Sequence, residues 1–187
     1  MIYFVVGPSG VGKTSFSNLI KERRNVKFFD TGPILRNIYI KGNYKISFGE
    51  WIKCGEEKYG DNYAISLICN EIKDIFKNDS DTIIIGNRCI DGIKYMIDFL
   101  NIHDYIIIYF DASFDCLKTN YEKRENIKIT DNEFDNIIKG GNKMGLLELK
   151  RYVLENLKHY YYFKNDNKDL NYLNIFDNIT KKIKKRS

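Results

Sequence analysis

Long hydrophobic runs and paired cysteines are both missing from this 187-residue chain. The longest apolar stretches, such as residues 106–110, fall far short of the roughly 20 residues needed to cross a bilayer, so we expect no membrane-spanning segment. The four cysteines are scattered, without a CxxC pair or a neighbouring histidine. This spacing fits neither a zinc site nor a disulfide scaffold and indicates reduced, mostly buried thiols.

Proline is also rare, since only Pro8 and Pro33 occur, and no internal repeat or linker-like stretch divides the chain. Hydrophobic residues make up 43% and charged residues 29%, which excludes wholesale disorder. The length and the missing linker predict a single domain over residues 1–187. A strand-like run from residue 2 leaves no room for a signal peptide. We therefore expect a cytoplasmic protein, in the host cytoplasm if the Ile-, Lys-, Asn- and Tyr-rich composition is viral.

The net charge of +5 is a mild excess. Lysine enrichment along the whole chain indicates a compositional bias rather than a nucleic-acid surface. We therefore expect a small-molecule partner, with nucleic acid retained only as an alternative acceptor, and a monomer or a homodimer. The basic segment 181–186 is interpreted as a solvated helix end.

Short apolar runs alternate with longer amphipathic stretches. The runs predict strands at residues 2–6, 26–29, 83–85, 105–110 and 160–163. The amphipathic stretches predict helices at residues 13–23, 31–41, 61–76, 113–124, 131–139 and 146–157 and from about residue 169. Strands that are apolar throughout and alternate with helices indicate a parallel sheet covered on both faces. The predicted fold is a three-layer α/β P-loop NTPase fold with about five strands and a small lid.

The most specific motif is GPSGVGKT at residues 7–14, which satisfies GxxxxGK[ST] between a predicted strand and a predicted helix. Backbone N–H groups and the helix N-terminus cradle polyphosphate in such a loop. Lys13 is expected to reach the β- and γ-phosphates, and the Thr14 hydroxyl to ligate Mg²⁺. The predicted nucleotide-binding residues are Gly7, Ser9, Gly10, Val11, Gly12, Lys13, Thr14 and Ser15.

Two further segments point to the class of P-loop protein. The chain has no convincing NKxD or DxxG segment, which argues against a switch GTPase. FFDTGPILR at residues 28–36 resembles the DTGxxxR segment of cytidylate kinases and related nucleoside monophosphate kinases. The resemblance implies that Asp30 lies near the acceptor and the transferring phosphoryl group and that Arg36 binds the acceptor phosphate. Asp30 is equally suited to be a helix N-cap, and the two roles are compatible.

IIIGNR at residues 83–88 resembles the strand-end DGxxR segment of adenylate, dephospho-CoA and phage-type deoxynucleoside monophosphate kinases. The acidic residue is replaced here by Gly86-Asn87, which shifts a magnesium contact to Asp30 or Asp111. Arg88 takes the place of a second acceptor-phosphate ligand, with a surface ion pair as the alternative.

The stretch at residues 55–64 resembles the acceptor-binding helix region of the same kinases. It makes Tyr63, with Phe48, Trp51 and Tyr59, a candidate for stacking on an acceptor base, although the same spacing suits a half-buried aromatic pair. The acceptor-binding region would span residues 31–63.

Two segments in the second half of the chain resemble donor-side elements of the same kinases. Residues 108–125 resemble the strand, turn and lid, which implies a lid at residues 123–145. Arg124 would clamp the donor phosphates, with Lys123 and Lys128 as helpers; a solvated helix end is the alternative. KNDN at residues 164–167 resembles the loop that contacts the donor adenine, which implies a role for Asn165, and it also suits an ordinary turn.

In order along the chain, the resemblance covers about residues 7–169. It implies an ATP- and Mg²⁺-dependent kinase that transfers the γ-phosphoryl group to a (deoxy)nucleoside monophosphate, with Lys13, Asp30 and Arg124 as catalytic residues. The same scaffold would serve a hydroxyl acceptor, such as dephospho-CoA or a modified base in DNA, with Asp30 as the base. A non-catalytic nucleotide-binding module is the third possibility.

Overall fold

The computed structural model describes residues 1–76, 80–166 and 171–184. Its strands are β1 (Ile2–Val6), β2 (Lys27–Asp30), β3 (Thr82–Ile85), β4 (Tyr105–Asp111) and β5 (Tyr161–Lys164). Its helices are α1 (Lys13–Arg23), α2 (Thr31–Lys41), α3 (Phe48–Tyr59), α4 (Tyr63–Ile72), α5 (Ile90–Phe99), α6 (Phe114–Glu125), α7 (Asp131–Lys143), α8 (Leu146–Glu155) and α9 (Tyr172–Lys184). None of the helices within these ranges is long and apolar enough to span a membrane.

The five strands form one parallel sheet in the order β2-β3-β1-β4-β5. Val5 in β1 is level with Ile85 of β3 on one side and Ile108 of β4 on the other. Because parallel strands all point the same way, their carboxyl ends meet at one edge of the sheet, and the loops that follow them are neighbours. The predicted α/β fold with a five-stranded parallel sheet is confirmed.

Each face of the sheet carries its own apolar core. Successive side chains of β1 alternate between the two faces, as strand geometry requires. Phe4 belongs to the core beneath α4, α5 and α8, whereas Tyr3 and Val5 belong to the core beneath α1 and α9. All five residues of β1 are buried, which is typical of a central strand with helices on both sides.

Two helices, α3 and α5, are absent from the sequence-based prediction. Ser47 and Glu50 form a capping box at the start of α3, in which each side chain accepts from the other residue's backbone N–H. This S-x-x-E signal was present in the sequence and could have located the helix. Cys89 caps α5 with its sulfur, which accepts from the Gly92 N–H, and cysteine is not among the usual capping residues.

Other helix boundaries differ by a few residues. The helix predicted over residues 61–76 is shorter, since α4 covers Tyr63–Ile72. The predicted start of the last helix near residue 169 lies outside the described residues, and α9 begins at Tyr172. Part of the basic segment 181–186 also lies outside the described residues.

Replacement of Ser47 by alanine should lower the free energy of unfolding by about 1 kcal/mol, because the first turn of α3 loses its capping acceptor. Urea denaturation of the two proteins measures the difference. Ser113→Ala is the matched control, since Ser113 is the N-cap of α6 but its side chain makes no capping hydrogen bond. An equal loss in both variants would contradict the importance of the capping box.

Candidate active site

The loop of residues 7–14 joins β1 to α1 and is packed closely against its neighbours. Gly10 has a positive φ of 83°, and a Cβ atom there would lie 2.3 Å from the Leu117 carbonyl oxygen in α6. No other residue fits this position without moving α6. The first turn of α1 carries no acidic residue at positions 13–16, so the positive end of its dipole faces the loop uncompensated. This geometry suits a polyphosphate.

A cavity of about 1040 Å³ opens over this loop at the carboxyl edge of the sheet. Its walls come from the loop itself, α2, the β3–α5 connection, α6, α7, the start of α8, the β5–α9 loop and the start of α9. The predicted site residues that line it are Gly7, Ser9, Gly10, Gly12, Lys13, Thr14, Ser15, Asp30, Arg36, Arg88, Arg124 and Asn165. Val11 and Tyr63 are not among its walls. Val11 is instead buried in the core beneath α1.

Lys13 folds back over the loop that precedes it. Its ammonium group donates to the carbonyl oxygens of Gly7 and Pro8, both at 2.8 Å. Burial, followed by the positive charges of Arg88 and Arg124, lowers the pKa of Lys13 to about 7, and the opposing effect of Asp30 is the smallest of the four. The charged form of Lys13 is therefore poorly compensated until an anion enters the cavity.

Asp30 ends β2 and caps α2, where its Oδ1 accepts from the Gly32 N–H at 3.1 Å. Its carboxylate also lines the cavity, so the capping role and a role in the site coexist in this structure. Burial raises the pKa of Asp30 above its ordinary value, although the Gly32 hydrogen bond and the charges of Lys13, Arg124 and Arg36 pull it down. The acid is thus half-desolvated and surrounded by cations.

Arg36 and Arg88 reach the cavity from α2 and from the β3–α5 connection. Within residues 1–76, 80–166 and 171–184, no carboxylate forms an ion pair with either guanidinium; Arg88 donates only to the Met144 sulfur at 3.1 Å. Burial, followed by repulsion from Arg36 and Arg124, lowers the pKa of Arg88. The two arginines therefore offer two guanidinium groups with free donors on one side of the cavity.

Arg124 interacts with neighbouring side chains of its own helix, α6. Its Nε donates to Glu125 at 2.7 Å, and its guanidinium lies 5.2 Å from the ring centre of Tyr121. Lys128 pairs with Glu122 at 2.9 Å and does not line the cavity, whereas Lys123 does. Arg124 would have to exchange Glu125 for a phosphate to clamp a nucleotide.

The helix α7 forms a mostly apolar wall of the cavity. Ile137, Ile138 and Gly141 face the open space, and Leu146 at the start of α8 continues the wall. A capping box of Thr130 and Glu133 fixes the beginning of α7. Ile137, Ile138 and Gly141 fall within the segment 123–145 that was expected to form a lid, but none of them was singled out as a site residue, since their spacing is that of any amphipathic helix.

Two oxygen-bearing side chains suit a magnesium ion. The Thr14 hydroxyl is exposed at the start of α1, and the Asp30 carboxylate lies across the same cavity. Among the described residues no group of three or more His, Cys, Asp or Glu side chains is positioned to hold a metal. A Mg²⁺ ion that takes most of its ligands from nucleotide phosphates and water needs no more protein ligands than these two.

Asp111, the other acid considered for magnesium, is fully occupied elsewhere. Its Oδ2 accepts from Lys150 and from the Tyr162 hydroxyl, both at 2.6 Å, and its Oδ1 accepts from the Ala112 N–H. These bonds hold its pKa below the ordinary value against the opposing effect of burial. Since Asp111 is not among the cavity walls, Asp30 is the better placed of the two.

Tyr63 packs within an aromatic cluster rather than against the cavity. Its ring stacks on Tyr59 at 5.4 Å and meets Trp51 edge-on at 5.8 Å. It also covers Gly55, where a Cβ atom would lie 2.0 Å from the Tyr63 ring. Tyr63 is therefore arranged as in the half-buried aromatic pair that was expected as the alternative to stacking on an acceptor base.

Two asparagines contact the loop of residues 7–14, called the phosphate loop below. Only Asn165 was predicted to belong to the site. Asn165 donates to the Val11 carbonyl at 2.7 Å and Asn120 to the Gly10 carbonyl at 3.0 Å. Asn120 lies within a helix of ordinary composition, so nothing in its local sequence distinguishes it.

No protein-family model matches the chain, and no characterised protein matches its sequence. Solved structures do match in fold. A gluconokinase from Sinorhizobium meliloti 1021 superposes with a TM-score of 0.56 at 10% identity, covering 88% of this chain and 82% of the other. A shikimate kinase from Bacteroides thetaiotaomicron superposes with a TM-score of 0.51 at 16% identity, covering 92% and 90%. The chain therefore has the fold of P-loop kinases.

The lowered pKa of Lys13 predicts proton uptake when Mg-ATP binds at pH 8. The free site holds Lys13 largely neutral at that pH, and bound phosphates favour the charged ammonium. Calorimetric titration in buffers of different ionisation enthalpy should give an uptake approaching about one proton per site. Affinity should fall as the pH rises from 7 to 10. Lys13→Arg stays charged throughout and should take up none; equal uptake by both proteins would contradict this account.

Proposed function

We propose that the protein is an ATP-dependent phosphotransferase that moves the γ-phosphoryl group to a (deoxy)nucleoside monophosphate. The observation that carries this proposal is the pair Arg36 and Arg88, which faces the same cavity as Lys13 and forms no ion pair with any carboxylate in the described part of the chain. A guanidinium fork matches a phosphate in shape and charge. One cavity thus offers separate donors for a polyphosphate and for a second anion.

Phosphoryl transfer depends mainly on positioning and on neutralising charge. In this proposal the loop N–H groups and Lys13 hold the donor phosphates, Arg36 and Arg88 hold the acceptor phosphate, and Arg124 reaches the transferring group after leaving Glu125. Mg²⁺, held by Thr14, Asp30 and the phosphates, would neutralise the charge between the donor oxygens. Residues 31–63 would form the acceptor-binding region and residues 123–145 the lid.

An acceptor that carries a hydroxyl is the second candidate. Asp30 favours it, because a carboxylate whose pKa is raised by burial is a stronger base than an ordinary one. The two similar solved structures bear the names gluconokinase and shikimate kinase. An acceptor of that kind would offer a hydroxyl to phosphorylate and a carboxylate for the two arginines. Dephospho-CoA or a modified base in DNA are further hydroxyl acceptors.

Loss of either arginine should impair use of the acceptor but not binding of ATP. In an ADP-release assay with Mg-ATP and a panel of (deoxy)nucleoside monophosphates, Arg36→Ala and Arg88→Ala should each lower kcat/KM for the acceptor by about tenfold to a hundredfold. Arg23→Ala, at the exposed end of α1, is the matched control and should leave turnover unchanged. The panel should also include gluconate, shikimate, dephospho-CoA and hydroxymethylated DNA.

Full turnover in Arg36→Ala and Arg88→Ala would remove both residues from the acceptor site. Silence of the wild-type protein on the whole panel, with Mg-ATP still bound, would contradict phosphotransfer and support a nucleotide-binding module.

Asp30→Asn separates the two kinds of acceptor. Asparagine caps a helix as well as aspartate does, so the melting temperature should change little. With a phosphate acceptor, which is already ionised, turnover should fall by about tenfold or less, whereas a hydroxyl acceptor should lose about 10²- to 10⁴-fold as its general base disappears.

A further inference from the structure

Two side-chain amides, those of Asn120 and Asn165, donate to consecutive carbonyl groups of the phosphate loop. Asn165, in the loop between β5 and α9, donates from Nδ2 to the Val11 carbonyl at 2.7 Å and to the Tyr172 hydroxyl at 2.9 Å. Asn120, in α6, donates to the Gly10 carbonyl at 3.0 Å. The amide group of Asn165 therefore uses both of its N–H donors to link the loop with α9.

The Asn165 side chain has little freedom to do anything else. Only 8% of the residue is exposed, and its backbone N–H donates to the Asp111 carbonyl at 2.6 Å. The hydroxyl of Tyr172 accepts the second N–H of the Asn165 amide, and the ring of Tyr172 packs edge-on against Phe16 at 5.5 Å. A Cβ atom on Gly12 would lie 2.8 Å from Asn165 Nδ2, so the amide and the loop are in close contact.

This contact determines which way a peptide group of the loop faces. In a planar trans peptide the C=O and the following N–H point in opposite directions. Because Asn165 holds the Val11 carbonyl on its own side, the Gly12 N–H points away from Asn165. Rotation of this peptide plane would leave the buried Asn165 donor without its acceptor, which costs free energy. It would also turn a carbonyl oxygen toward a bound phosphate, and the two negative groups would repel each other.

We propose that Asn165, supported by Tyr172, is a positioning residue of the phosphate site: it acts through the Val11 carbonyl to present the Gly12 N–H to the donor polyphosphate. Asn120 holds the Gly10 carbonyl from α6, but the Val11 N–H that follows this carbonyl donates to the Pro8 carbonyl at 3.4 Å, so the proposal assigns no phosphate contact to it. This role differs from the adenine contact that the resemblance implies for Asn165. It rests only on the polyphosphate-binding part of the proposed function.

Inorganic tripolyphosphate separates the two roles, because it has the phosphates of ATP and no base. Calorimetric titration should show that Asn165→Leu lowers the affinity for tripolyphosphate and the affinity for Mg-ATP by the same factor, about tenfold or more. This is the loss expected when a hydrogen-bond donor to an anion is misplaced. Asn156→Leu is the matched control, since Asn156 Nδ2 donates to the Tyr152 carbonyl at 2.7 Å and does not line the cavity. It should lose comparable thermal stability while both affinities stay unchanged.

Tyr172→Phe provides a milder test should Asn165→Leu fail to fold. This substitution removes only the hydroxyl that orients the Asn165 amide. It should lower the affinities for both ligands in parallel, by a smaller factor than Asn165→Leu does. A loss of Mg-ATP affinity with tripolyphosphate unaffected would overturn the proposal in favour of a base contact, and unchanged affinity for both ligands would overturn it outright. If no acceptor is phosphorylated in the kinase assay but Asn165→Leu still lowers the affinity for tripolyphosphate, the proposed phosphotransferase function is contradicted and the positioning role of Asn165 is supported.

Discussion

Repulsion among positive charges is the constraint on which this site depends. Four cations lie close enough in the cavity to repel one another: Lys13, Arg36, Arg88 and Arg124. In the part of the chain that the structure describes, Asp30 is the one acid whose charge favours the protonated form of Lys13. Burial is the largest cause of the lowered pKa of Lys13, and together with the repulsion from Arg88 and Arg124 it brings that pKa to about 7. Such a group of cations destabilises the empty protein and is relieved when anions bind. The cavity is therefore organised around ligands that carry several negative charges.

The parallel sheet brings this group together. β1 runs into the phosphate loop, β2 ends at Asp30, and β3 ends just before Arg88; the order β2-β3-β1 makes these three ends neighbours, with Asp30 level with Ile85 and Ile85 level with Val5. Residues far apart in sequence thus face one cavity because parallel strands share a carboxyl edge. Arg124 joins this group from α6, which follows β4, the next strand in the sheet.

The phosphate loop and the strands could be predicted because their signals are local: a glycine-rich motif and short runs of apolar residues. The helix α1 was predicted with the bounds that the structure has. Residue roles that depend on distant partners could not be inferred in this way. Asp111 accepts hydrogen bonds from Lys150 and Tyr162, and Asn165 donates to the Val11 carbonyl, and these partners are all far away in the sequence.

The central claim is that donor and acceptor anions occupy one cavity at the same time. Equilibrium dialysis of inorganic phosphate against protein saturated with Mg-ADP tests it directly. The account predicts one phosphate bound beside the nucleotide, and loss of that phosphate, with Mg-ADP retained, in the double variant Arg36→Ala/Arg88→Ala. Phosphate that binds only to the nucleotide-free protein, and is displaced by Mg-ADP, would contradict the claim, because the cavity would then hold a single anion site at the phosphate loop.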